Sequence, residues 1–222
     1  MSAPPQHTEH PQPAQAPALR HAVMAALRWL AMVLGLSVLG LMCLAWTPFA
    51  LLARWLLPRE TGRALGRRVI SHCFRFYVGV LRVACGCRID LSELDALTRE
   101  RRAMVVVANH PSGLVDGMVM AEMVNRVRSD FKILTRSLLT GIPEVEEFMI
   151  PVPFPHEDNA RELGLQMREE TLAHLKAGGV IILFPAGKVA MSEGWWGPAV
   201  EGEWNVFTHK IVRSTGATIL PI

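Results

Sequence analysis

The chain is poor in the residues that staple folds or hold metals. It has four cysteines in 222 residues. No paired Cys-x-x-Cys framework joins them, and Cys85 and Cys87, one residue apart, cannot complete a four-ligand zinc site by themselves. All read as reduced thiols in strand or core positions. His72, His110, His156, His174 and His209 are scattered without ligand spacing, so no metal is expected. An excess of charge of one sign is missing as well. The net value is only +3, and no pattern interleaves aromatics with basic residues on an exposed sheet, which argues against a nucleic-acid partner. The first nineteen residues hold no lysine or arginine and no periodicity. Rich in Pro, Gln, Ala and His, they read as a disordered tail.

Between Trp29 and Ala53 charge is absent altogether. The run exceeds the roughly 20 residues that a membrane-spanning helix needs, and Trp29, Trp46 and Trp55 stand where an interfacial aromatic belt would. No clear small-residue cleavage site marks it as a signal peptide. Arg20 and Arg28 precede it, whereas Arg54, Arg59, Arg63, Arg67 and Arg68 follow, a bias that puts the downstream domain on the cytoplasmic side. Thr47-Pro48 interrupts the pattern. A helix ending near Trp46 and a second one over residues 49–57 would instead make an interfacial hairpin. Residues 59–83 alternate apolar and basic positions at helical spacing and predict an amphipathic helix against bilayer or domain. The basic stretch from Arg54 to Arg88 suits anionic headgroups.

The most informative segment comes next: Val105-Val106-Val107-Ala108-Asn109-His110-Pro111-Ser112-Gly113, with Asp116 six positions after the histidine. A β-branched run favours a strand buried on both faces. Pro-Ser-Gly ends it and leaves His110 at the strand's carboxyl end, where open α/β sheets place their chemistry. A neutral imidazole takes a proton from a hydroxyl best when a carboxylate fixes its tautomer, and Asp116 is the candidate. The plainer reading makes His110 a satisfied turn residue and Asp116 a helix-dipole partner. Further strands are expected over residues 88–91, 103–108, 131–134, 149–152 and 180–184. Helices are expected over 115–127 and 160–176, a polar connection over 94–101, and loop with helix over 138–148. Strand and helix alternate, so the fold class is α/β: a mixed, largely parallel sheet flanked by helices, behind an N-terminal transmembrane or interfacial helix.

A second turn follows the apolar strand at 180–184: Phe184-Pro185-Ala186-Gly187-Lys188. Backbone amides near Gly187, with Lys188, would hold a phosphate or stabilise developing negative charge. Two such turns at one sheet edge would define a single crevice. Trp195, Trp196 and Trp204 read as packing beneath a loop, or as a lipid-facing lid between Gly194 and Gly197.

Together these segments resemble the glycerolipid (lysophospholipid) acyltransferase family, whose motifs are His-x4-Asp, Phe-Pro-Glu-Gly and Val/Leu-Pro-Ile. Their counterparts here are His110 with Asp116, Phe184-Pro185-Ala186-Gly187, and Leu220-Pro221-Ile222, over about Arg88 to the end. Five residues rather than four separate His110 from Asp116, as in a divergent hemolysin-like bacterial branch with His-Pro-x-Gly-x-x-Asp and Phe-Pro-Ala-Gly. Ala186 stands where the family has a glutamate linked to acceptor binding. The family's strand-end arginine is missing from Met149-Ile150-Pro151-Val152, which leaves Arg136 and Lys188 as nearby cations. The resemblance implies a membrane-bound O-acyltransferase similar to 1-acylglycerol-3-phosphate O-acyltransferases, in which His110 is the general base and Asp116 orients it. Arg136, Phe184, Pro185, Gly187 and Lys188 would bind substrate. Acyl-CoA or acyl-carrier protein would be the co-substrate, with no other cofactor. The acceptor would be a lysolipid, glycerophospholipid or lyso-aminolipid, and the site a bacterial inner (cytoplasmic) membrane.

The expected organisation is a tail over 1–19, an anchor helix or hairpin over 20–58, an amphipathic helix and connector over 59–87, and an acyltransferase domain over 88–222 that is C-terminally incomplete. Two rivals remain. A lipid esterase would use Ser112 or Ser137 as nucleophile, although Ser112 lacks a Gly-x-Ser-x-Gly elbow. A membrane lipid-binding module would keep the fold without turnover.

Overall fold

Met104-Val105-Val106-Val107 is buried along its whole length. The computed structural model describes residues 16–84, 86, 88–90, 102–136, 146–192 and 197–222. Five parallel strands form one sheet in the order β3-β2-β4-β1-β5: β1 (Met104–Val107), β2 (Phe131–Arg136), β3 (Met149–Val152), β4 (Val180–Leu183) and β5 (Thr218–Pro221). Every residue of β1 and β4 is buried. Alternate side chains point to opposite faces. Val106 and Ile182 therefore pack with Met120, Ala121 and Val124 of α3 (Leu114–Asn125). Val105, Val107, Ile181 and Leu183 pack with Leu175 of α4 (Ala160–Lys176) and Ile211 of α5 (Phe207–Thr215). Helices on both faces explain why these strands read as continuous apolar runs. Each such side chain contributes about 1.5–3 kcal/mol on burial.

Among the described residues every pairing within the sheet is parallel, and an antiparallel bridge, Met191 with Val200, lies outside its strands. Residues 88–90 are irregular, not a strand. Ile89 is a lone apolar residue between Arg88 and Asp90 and has too little to bury. The expected connection over 94–101, most of the segment 138–148, Cys85, Cys87, Trp195 and Trp196 lie outside the described residues. Trp204 is exposed.

α1 (Ala16–Leu56) starts within the expected tail and runs unbroken through Pro48, so the sequence-predicted break near Trp46 does not occur. Proline removes one helical N–H. Beside the proline Thr47 Oγ1 donates to Cys43 O at 3.0 Å, and Trp46 stacks on Phe49 across it. The chain turns instead at Leu57-Pro58, where proline disfavours helix at the residue before it. α2 (Arg59–Ala84) returns alongside α1. A β-carbon on Gly35 would stand 2.8 Å from Val80 Cγ1, and one on Gly62 would stand 3.8 Å from Ala53 O, so the two helices are antiparallel and in close approach. Cys43 and Cys73 meet in this interface as free thiols. Burial holds the Cys73 thiol above its ordinary value.

The other side of α2 docks on the sheet domain. Arg75 and Arg126 both donate to Glu122 Oε1 on α3, at 3.2 Å and 2.9–3.0 Å. Asn125 donates to Ser71 at 3.0 Å, and Arg63 pairs with Glu147 at 2.7 Å. At the sheet's amino end Arg128 donates to both carboxylate oxygens of Asp130, at 2.7 and 2.6 Å, and to Gly178 O at 2.6 Å. This bidentate guanidinium holds the Asp130 carboxyl below its ordinary value of 3.8.

Candidate active site

β1 and β4 are neighbours in register, Val107 opposite Leu183, so the turns that follow them emerge side by side at the carboxyl edge. In the first turn His110 Nδ1 lies 3.0 Å from Asp116 Oδ2. An ionised carboxylate only accepts, so Nδ1 carries the proton and Nε2 is the basic nitrogen. The Ser112 N–H donates to the same Oδ2 at 2.8 Å, and Asp116 N–H donates to Gly113 O at 3.1 Å. Residues 110–116 thus close on one carboxylate oxygen. Gly113 makes this closure possible: its φ of 65° and ψ of −123° suit glycine alone. The His110 and Asp116 side chains keep 18% and 16% of their exposure, little enough to limit screening and enough to admit a substrate.

The second turn supplies a wall. The Phe184 ring lies parallel to the imidazole at 4.0 Å between centroids, which restricts rotation of the ring. Pro185 is buried, and its carbonyl accepts the Asn205 N–H at 2.9 Å. Gly187 has φ 66°, and its N–H closes the turn on Phe184 O at 2.9 Å. That amide is therefore spent within the turn and does not face the crevice as expected.

Arg136 ends β2 and reaches the same turn. Its guanidinium donates to Pro153 O at 2.6 Å and Gly187 O at 3.5 Å, and it lies 4.7 Å over the Phe154 ring. Much of its donor capacity ties two loops together. Lys188 is exposed, and its stem lies against Gly202. On the far side of β1, Leu220 and Pro221 complete β5, and Ile222 N–H donates to Val107 O at 2.9 Å. All three sequence motifs therefore gather around the end of β1.

Glu201 also reaches this place, with Oε2 accepting the His110 N–H at 3.1 Å. Sequence reasoning missed it. The contact spans 91 positions, and no motif around Glu201 announces it.

The fold and these turns define a class: a parallel α/β protein carrying a carboxylate-held imidazole over the carboxyl edge of its sheet, behind a long apolar helix. A family model described as Acyltransferase matches residues 88–222, more than half of the chain. The chain belongs to this glycerolipid acyltransferase family, whose reaction is acyl transfer to a lipid acceptor. No curated protein matches it.

Proposed function

We propose that the chain is a membrane-attached O-acyltransferase that moves a fatty acyl group from acyl-CoA or acyl-carrier protein to a lysolipid hydroxyl, with His110 as general base and Asp116 as its orienting carboxylate. The observation that carries this reading is the 3.0 Å hydrogen bond between His110 Nδ1 and Asp116 Oδ2, which leaves Nε2 as the basic nitrogen at the carboxyl edge of the sheet. Nε2 takes the acceptor's hydroxyl proton as the oxygen attacks the thioester carbonyl. The tetrahedral adduct then collapses, the C–S bond breaks, and the departing thiolate recovers the proton from Nε2. No acyl-enzyme is required, because a thioester is already activated.

Lys188 follows the second turn directly and Arg136 reaches Gly187 O in it, so positive charge at this turn suits an anionic acceptor headgroup or the donor's phosphates. Ala186 brings no carboxylate to the second turn, which favours acceptors other than the usual lysophosphatidic acid, such as a lyso-aminolipid. For the serine-esterase alternative, no hydrogen bond links Ser112 Oγ to the imidazole among the described residues, and Ser137 lies outside them.

Attachment rests on α1. Leu19–Ala53 is long and apolar enough to cross a membrane. What favours an interfacial hairpin over a span is α2, which lies along this segment and carries Arg63, Arg67, Arg68, His72 and Arg75. A span would bring these arginines to the depth of the hydrocarbon core, at about 2.5–3.5 kcal/mol each at its centre. The outer face of α1, with Trp29, Leu30, Leu34 and Leu41 exposed, then enters one leaflet. The proposed location is the cytoplasmic leaflet of a bacterial inner membrane, where the basic residues of α2 would meet anionic headgroups. The test is to incubate membranes containing the protein with labelled acyl-CoA, acyl-carrier protein and a panel of lysolipids. A doubly acylated product with stoichiometric thiol release is expected. Release of free fatty acid without transfer would contradict the assignment.

A further inference from the structure

Residues 200–202 touch the site at two points that neither turn provides. After Lys188 the chain donates from Ala190 N–H to His110 O at 2.8 Å and pairs Met191 with Val200 in both directions at 3.1 and 2.8 Å. It then lays Glu201 against the base, and the His110 N–H donates to Glu201 Oε2 at 3.1 Å. The backbone of His110 is thus held on both its N–H and its C=O. Among the described residues, Glu201 Oε1 is buried without a hydrogen-bond partner. Glu201 as a whole is half-buried, and the bond it accepts from the His110 N–H is what ties it to the site. One residue later, a β-carbon on Gly202 would overlap Lys188 Cε. The absence of a side chain there lets the lysine stem lie flat and sets where its ammonium stands.

We infer that the segment Val200-Glu201-Gly202 is a positioning strap for the site: Glu201 fixes the backbone of the base, and Gly202 fixes the ammonium of Lys188, so one piece of chain sets the distance between base and cation. The inference rests on the reading of His110 as the base. Glu201 is a positioning residue and touches no substrate. Its function resides in the accepted hydrogen bond and not in its charge, because a glutamine carbonyl oxygen accepts the same bond.

Three variants of the full chain in detergent micelles test this, with hydrogen exchange at the His110 amide, thiol release from palmitoyl-CoA, and binding of lysophosphatidic acid and monoacylglycerol as readouts. Glu201→Ala speeds exchange at His110 and lowers kcat on the order of 10- to 100-fold, the scale of a displacement near 1 Å in a reacting group, without changing the KM for acceptor. Glu201→Gln restores slow exchange and most of kcat. Gly202→Ala displaces only the flexible end of Lys188, so it weakens binding of the phosphate-bearing lipid several-fold on loss of a charge-assisted contact and leaves monoacylglycerol binding alone. Wild-type exchange in Glu201→Ala, equal impairment of the Gln and Ala variants, or equal loss of both lipids in Gly202→Ala would each overturn the strap. Exchange and lipid binding need no turnover, so these readings stand apart from failure of the base assignment, which a transfer-competent His110→Ala protein would reveal.

Discussion

Replacing Asp116 by asparagine removes a charge and little else. The amide side chain keeps the volume of the carboxylate, and its carbonyl oxygen still accepts the Ser112 N–H that Asp116 holds at 2.8 Å. What disappears is the charge 3.0 Å from an imidazole that becomes an imidazolium in the transition state. Two unit charges at that separation attract by about 5 kcal/mol at an effective dielectric constant near 20. Both side chains are mostly buried, at 18% and 16% exposure, so screening is partial. Delocalisation over two oxygens and two nitrogens removes roughly half, leaving about 2.5 kcal/mol, or about 70-fold in kcat. If the amide N–H₂ turns toward Nδ1 instead, the wrong tautomer is held and the loss is larger. Initial rates of thiol release at saturating acceptor measure this, with unfolding midpoints checking that the variant is folded. More than half of wild-type kcat in Asp116→Asn would show that the Asp116 charge does not stabilise the imidazolium.

Three further outcomes follow from other parts of the fold. Gly113→Ala forces a β-carbon into φ 65°, ψ −123°, although the nearest side-chain atom, Val189 Cγ2, is 3.5 Å away, so the cost is backbone strain of about 1–3 kcal/mol; chemical denaturation reads it, and an unshifted midpoint contradicts it. Because Arg128 holds the Asp130 carboxyl below 3.8, its folded value lies under its unfolded one, and the stabilisation is present above pH 3.8 and lost as pH falls through the folded value. Wild type should therefore exceed Asp130→Asn in unfolding stability at neutral pH and converge with it in acid, whereas a constant difference would count against the pair. Leu30→Glu with Leu34→Glu puts two carboxylates on the exposed face of α1, at up to about 2.5–3.5 kcal/mol each; flotation with anionic vesicles should fall sharply, and undiminished flotation would exclude this face as the anchor.

The sheet was legible where local chemistry and burial agree. A run such as Met104–Val107 has to be covered on both faces, and Gly178-Gly179 ends α4 before β4 begins. The His110 turn was legible because Pro111 and Gly113 punctuate it. Pro48 misled because a proline weakens one helical bond, and packing of α1 along α2 outweighs that loss. Residues 88–90 misled because alternation over so few positions carries no pairing information. α5 is a nine-residue helix that packs Phe207, Ile211 and Val212 on the core, and two and a half turns are too short for that spacing to stand out in sequence. The Glu201 contact and the stacking of Phe184 on His110 are products of topology. They exist because β1 and β4, distant in the chain, are adjacent in the sheet.

The most direct test of the central claim is His110→Gln, which keeps a polar side chain on the Phe184 face but cannot take up a proton at neutral pH. Purified protein is assayed for labelled acyl transfer from acyl-CoA or acyl-carrier protein to lysolipid, alongside its unfolding midpoint. The midpoint should stay within a few degrees and transfer should fall at least about 100-fold, the usual contribution of a general base. Transfer at a rate close to wild type would show that His110 is not the base.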